Sequence, residues 1–366
     1  GGDSLNYVDL TLALEELLGE LPRGWETLSI QQLDLLRPQT DGARPKSNFV
    51  KVDSDIVVRC VAISAVVAHH SSVYDNFAGG VAALMMLIGF SWARFQRGHL
   101  IAAQPWKMLK RLAGSILLPY FGLLTLLVLA QRNVPLSAWT LTANYDPNLR
   151  GVVLPLWFIS SYTQATLLLA AASLTLPAFR ESIRTGPFRT GLFTVALSFI
   201  AMFALEAAGL TYPSRSLDQV LPLIAFGWCL AFADTPRQRW GALAAAVLVT
   251  MCDMLGDRSM ETPLWTLTTP YWVFQSLWLG ATTVLLLWIP RVTLPRWAAA
   301  AAAAVAAASF TIYLTHMAVL WAIGRALHTD SPGIIAALAV IALGAVAHQI
   351  LNAGLKRVQT RMGGKA

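Results

Sequence analysis

Past a mixed opening segment the chain settles into a repeated pattern, in which long apolar runs alternate with short polar, mostly basic breaks. The runs predict about ten spanning helices, starting near Ile56, Phe77, Leu112, Val152, Gly191, Gln219, Trp240, Tyr271, Trp297 and Gly333. Each is close to the ~20 residues needed to cross hydrocarbon. Ahead of them Leu5, Val8, Leu12 and Leu17 recur at roughly helical spacing behind Asp3, a residue suited to cap a helix, and that helix ends near Gly19 and Pro22. Ser29, Ile30, Leu33 and Leu36 predict a second short helix, and RPQTDGARPKSNFVKVD, from Arg37 to Asp53, is polar, carries two prolines and reads as a linker. The expected fold is therefore all-α: a polytopic membrane bundle over 55–366, preceded by a linker over 38–54 and a small, incomplete helical domain over 1–37.

Composition agrees with a bilayer protein. Hydrophobic residues make up 56% of the chain and charged residues 13%, with a mean hydropathy of +0.56. The formal charge of +7 does not point to nucleic acid, because the basic residues lie between apolar runs, where they fix helix ends on the cytoplasmic side. With ten spans and the N-terminus inside, sixteen basic residues fall on the cytoplasmic side and five, Arg132, Arg150, Arg215, Arg258 and Arg325, on the other. That asymmetry predicts both termini in the cytoplasm. Cys60, Cys229 and Cys252 sit inside apolar runs without ligand spacing, so neither a disulfide framework nor a metal site is indicated. No basic start followed by an apolar core opens the chain, and the first spanning helix is expected to drive insertion itself. In the alanine run from Ala298 to Ala308, small side chains predict close helix packing.

The first run, DIVVRCVAISAVVAHHS, carries ionisable residues where they are costly and by default functional. Arg59 and His70 are eleven residues apart, which puts them within roughly 20° of one helix face and about 16 Å apart along its axis, whereas His69 lies about 80° away. Two groups so far apart suit opposite ends of an elongated substrate in a tunnel open to both leaflets. The bland alternative is that both are structural polar residues bonded between helices.

An arginine and a histidine at this spacing in the first helix resemble a pattern of the acyltransferase family 3, integral membrane enzymes that O-acylate sugars and other extracytoplasmic acceptors. MLIGFSWAR, PWKMLKRLAGSILLPY, LWFISSYTQ and SFTIYLTHMAV are similar to further stretches of that family, in the same order, and the likeness covers about residues 54 to 352. Ile88 stands where a serine commonly precedes Gly-Phe, and Tyr162 and Thr163 replace an acidic pair, although Gln164 remains. The resemblance implies His70 as general base and Arg59 as the group that holds the phosphate or carbonyl end of a pantetheine thioester, such as an acyl-CoA. It implies substrate contacts for Trp157, Gln164, Tyr313 and His316; the last two, three apart on one helix face, either orient the acceptor or simply pack. Lys107, Lys110 and Arg111 are topology anchors or also dock the donor. A small-molecule or carbohydrate acceptor, contact with membrane lipids and a place in a bacterial inner membrane go with it.

GGDSLNYVDLTLALEELLGELP resembles the carrier domain of nonribosomal-peptide-synthetase-like proteins, in which a serine after such a turn bears 4'-phosphopantetheine. Ser4 would be the attachment point, with a phosphodiester at a helix start favoured by free backbone N–H groups. Plain capping by Asp3 and Ser4 is the alternative. The helix that precedes the serine in a complete carrier is missing, which predicts upstream adenylation and carrier domains in a longer polypeptide. Outside the enzyme class, a flippase or transporter of lipid-linked or acyl cargo, or a non-catalytic anchor of a synthetase, would share much of this pattern.

Overall fold

The computed structural model describes residues 28–36, 48–71, 79–209, 215–256, 270–329 and 333–363, together with Leu14, Leu17, Leu18 and Trp25. Ser4 and most of the N-terminal helix expected behind Asp3 lie outside the described residues. The second short helix is present as Ile30–Asp34, closed by a capping box in which Ser29 and Gln32 exchange side-chain and backbone bonds.

The chain is mostly helical. Eleven helices follow the apolar runs: α1 Ser54–His70, α2 Gly80–Phe95, α3 Trp106–Leu129, α4 Gly151–Thr175, α5 Pro187–Ala207, α6 Leu217–Leu230, α7 Pro236–Gly256, α8 Pro270–Trp288, α9 Arg296–Ala307, α10 Ser309–Leu327 and α11 Gly333–Gly363. By length and composition five of them, among the described residues, can cross a membrane: α3, α4, α5, α10 and the stretch of α11 over Gly333–Leu351. The expected count of ten is thus not reached by that measure. For two of the others the reason is length: α2 has 16 residues and α6 has 14, which at ~1.5 Å each fall short of a hydrocarbon layer about 30 Å thick. The apolar run that begins at Trp297 is also two helices rather than one, broken at Ala308.

The fold is not purely helical either. Phe49–Asp53, the end of the stretch read as a linker, is a strand, β1, paired antiparallel with β2, Arg291–Pro295, so that Phe49 faces Pro295 and Asp53 faces Arg291. Alternation of Val50 and Val52 with charged residues lets this ribbon bury one face, and Val52 packs with Ile56 of α1 on Ala299, Ala303 and Ala306 of α9. The alanine run therefore serves the close packing its composition implies. Asp53 accepts from Arg291 Nε at 3.2 Å, and Arg94 approaches both Asp53 and Asp55, which ties the ribbon to the ends of α1 and α2.

α1 sits inside the bundle, packed by α2, α9, α10 and α11, with Ala62, Ile63 and Val67 fully buried. The tightest crossing is that of α2 with α6. Gly89 and Gly227 lie at the contact, where a Cβ on Gly89 would fall on the Ile224 carbonyl and one on Gly227 on the Met86 carbonyl. In a bilayer, where burial in lipid is as good as burial in protein for an apolar side chain, such close backbone approach is what holds helices together. The outward faces carry large apolar side chains, among them Leu118, Leu126, Phe193, Ile200 and Ile335. A soluble protein would bury these, whereas a chain embedded in lipid exposes them.

Candidate active site

His70 ends α1, and His316 stands in the middle of α10, where its side chain is completely buried. His316 Nδ1 is 2.6 Å from the Tyr313 carbonyl, and His70 Nδ1 is 2.9 Å from the Val66 carbonyl. A carbonyl only accepts, so both Nδ1 atoms carry the hydrogen in neutral rings, and His316 Nε2 is left as an acceptor. It lies 3.2 Å from His70 Nδ1, whose hydrogen it shares with Val66. The consequence is a fixed tautomer: His70 keeps Nε2 as its basic nitrogen. His316, expected to orient the acceptor, is fully buried in this structure and its ring contacts His70.

His70 lines a cavity of about 890 Å³ together with Arg132, Arg150, Arg325, His328, Trp321 and the turn at Gly151–Val153. Arg59 lines a different and much narrower one, of about 140 Å³, with Ser91, Trp92, Gln96, Arg111, Tyr162 and Tyr313. Among the described residues the two groups thus border separate cavities rather than one shared tunnel. Tyr313 and His316 of α10 stand between them, with Phe158 of α4 at 4.5 Å ring separation from Tyr313. Tyr313 is tied down in this layer, its hydroxyl donating to the Pro155 carbonyl at 2.9 Å. Both groups sit on α1, and α10 packs against that helix between their cavities.

In its own cavity Arg59 donates through Nη2 to Ser91 Oγ at 3.2 Å. Arg111 reaches the same space from α3, at the start of a π-helical stretch, Leu112–Leu117, whose Leu112, Ser115 and Ile116 also line it. Such wide turns recur at functional sites. Lys107 and Lys110, by contrast, are exposed and line neither cavity. Gln96, which lines the same cavity as Arg59, buries its Oε1 without a hydrogen-bond partner among the described residues, an acceptor suited to an amide N–H.

Two further residues expected at the substrate lie elsewhere. Trp157 opens the α-helical part of α4 and lines neither cavity. Gln164 is saturated: its amide donates to the Leu141 carbonyl and to Asn144 Oδ1, and its oxygen accepts from Asn144. It pins the loop before α4. In that loop Asp146 accepts from the Ser137 hydroxyl at 2.5 Å and from the Asn148 N–H at 2.9 Å, bonds that hold its carboxyl below the ordinary range.

Sequence reasoning missed Ser91, Trp92, Gln96 and Tyr162 around Arg59, and Arg132, Arg150, Arg325 and Trp321 around His70. The basic residues were visible as the minority on the non-cytoplasmic side, but nothing in their spacing announces that three of them meet at one cavity. No curated protein and no solved structure matches the chain. The sequence model of the acyltransferase 3 family, described as an acyltransferase domain, does match, over residues 55–348, and on that match the chain belongs to the acyltransferase 3 family.

Proposed function

We propose that this chain is a membrane acyltransferase that moves an acyl or aminoacyl group from a pantetheine thioester to a hydroxyl or amine, with His70 as general base. The observation that carries the reading is the tautomer imposed on His70 by Val66 and His316, which leaves a basic nitrogen on a side chain that borders a roomy cavity. The acceptor hydroxyl gives its proton to His70 Nε2 as its oxygen bonds to the acyl carbon. The carbon–sulfur bond then breaks, and the proton passes to the leaving thiolate. Arg59, with Arg111, holds the phosphate end of the donor by charge-assisted hydrogen bonds, and Gln96 accepts from a pantetheine amide. The layer formed by Tyr313 and Phe158 separates donor from acceptor and must part for the acyl end to reach His70.

The donor is either acyl-CoA or the arm carried on Ser4 of a partial carrier domain over 1–37, loaded by upstream synthetase domains. Leu18 and Trp25 support the second, because they pack with Phe95, which itself lines the Arg59 cavity. A donor tethered there acts at high effective concentration. About ten spans with both termini in the cytoplasm, in a bacterial inner membrane, put the Arg59 cavity on the donor side.

The test uses the purified full chain in proteoliposomes, with an acyl-CoA and with Ser4 loaded by a phosphopantetheinyl transferase. Mass spectrometry should show an acylated acceptor that disappears in His70→Ala. Relocated but chemically unchanged cargo would instead establish a transporter.

A further inference from the structure

The cavity beside His70 carries a second message. Of the five basic residues assigned to the non-cytoplasmic side, Arg132, Arg150 and Arg325 all line this one space, and they come from three separate parts of the chain: the end of α3, the start of α4 and the last turn of α10. A positive charge on that side is what topology disfavours, so three at one mouth call for another cause. Arg325 alone has a local explanation in the dipole of its helix, but Arg132 and Arg150 do not. Arg132 lies over Trp321, its Cζ 3.5 Å from the ring centroid, and Arg325 Cζ is 6.0 Å from the same ring. Trp321 thus gathers two guanidinium groups whose mutual repulsion nothing in the lining offsets, because no carboxylate borders the cavity among the described residues. Nor does any of the three form an ion pair among those residues. Guanidinium forks match phosphate oxygens in geometry as well as in charge.

We propose that Arg132, Arg150 and Arg325 form a recognition site for a phosphate-bearing acceptor, either a lipid headgroup or a soluble phosphate ester, whose hydroxyl or amine is thereby presented to His70. The inference rests on the acyl-transfer reading for the word acceptor; the anion site itself does not.

Binding is measured on the purified full chain in nanodiscs of phosphatidylcholine. Glycerol 3-phosphate is compared with glycerol by calorimetry, and retention of phosphatidylglycerol is compared with that of phosphatidylcholine by native mass spectrometry. The phosphate-bearing probe should bind at least about tenfold more tightly than its neutral counterpart. That preference should vanish in the Arg132→Gln/Arg325→Gln variant and return in part in the Arg132→Lys/Arg325→Lys variant, which keeps the charge. Selective retention of phosphatidylglycerol assigns a lipid headgroup, and binding of glycerol 3-phosphate alone assigns a soluble ester. Equal binding of charged and neutral probes overturns the proposal, as does a preference that survives the glutamine variant while its thermal unfolding matches the parent. The two readings fail separately. A chain that prefers phosphate but transfers no acyl group from any thioester loses the enzymatic reading and keeps the anion site, whereas acyl transfer to glycerol and glycerol 3-phosphate with the same kcat/KM does the reverse.

Discussion

His316 Nε2 lies 3.2 Å from His70 Nδ1, so a residue deep in the tenth helix determines which nitrogen of a first-helix residue is free to act. If His70 is the base, its replacement by alanine lowers kcat by about 100 to 10,000-fold, the range for loss of a positioned general base, with thermal unfolding unchanged. Full activity in that variant would remove His70 from the reaction.

His316 acts through His70, and its loss has a different signature. His316→Gln should lower kcat by tenfold or more while leaving the KM for the thioester near its starting value. Combined with His70→Ala it should cost little beyond the single change, because groups that work as one unit are not additive. A merely structural histidine would instead lower the melting temperature and add its effect in the double variant.

Arg59→Lys keeps the charge but gives up the planar fork. The KM for the thioester is expected to rise by about 10 to 100-fold with a smaller change in kcat, the pattern for loss of a charge-assisted contact to the donor. Kinetics with donors that lack the nucleotide phosphates should narrow the gap between variant and parent.

The sequence carried the helical nature of the bundle, because apolar runs separated by basic breaks leave few alternatives in a bilayer. It also carried the placing of Arg59 and His70 on one helix, since 3.6-residue geometry is local. What crosses that face was not legible. Tyr313 and His316 were visible as polar residues on α10, but their place between Arg59 and His70 follows from how α10 packs on α1, a long-range choice with no local signature. Gln164 misled for the opposite reason, as its amide satisfies a neighbouring loop that reads as unstructured polar sequence. The strand Phe49–Asp53 was hidden too, because five residues of alternation mean little until a partner such as Arg291–Pro295 is found.

Gly89 and Gly227 predict where the bundle tolerates no added bulk. Gly89→Leu drives a side chain into the backbone of α6, and overpacking of this kind costs about 1–3 kcal/mol or more. Melting in detergent should shift down clearly for Gly89→Leu and Gly227→Val. Gly122→Leu serves as control, since beyond its own stretch of helix no described atom lies within 4 Å of a Cβ there.

Asp146 gives the loop before α4 a dependence on pH. Its carboxyl is held below the ordinary range by the Ser137 hydroxyl and then by the Asn148 N–H. A depressed folded value means that the contribution is fully present above the unfolded value of about 3.9 and is lost as pH falls through the lower, folded one. Hydrogen exchange at residues 143–149 should quicken below about pH 4 in the parent, and Asp146→Asn should already exchange quickly at neutral pH.

The ribbon of Phe49–Asp53 and Arg291–Pro295 has a consequence for how the molecule is made. Helix α1 meets its anchoring strand and its histidine partner only after most of the polypeptide that follows it has been threaded into the bilayer. Until then its arginine and histidine wait in lipid or beside the translocon without their final neighbours. A nascent chain arrested before residue 290 thus holds every element of the donor cavity contributed by the first four helices, yet its histidine rests on the Val66 carbonyl alone, without His316.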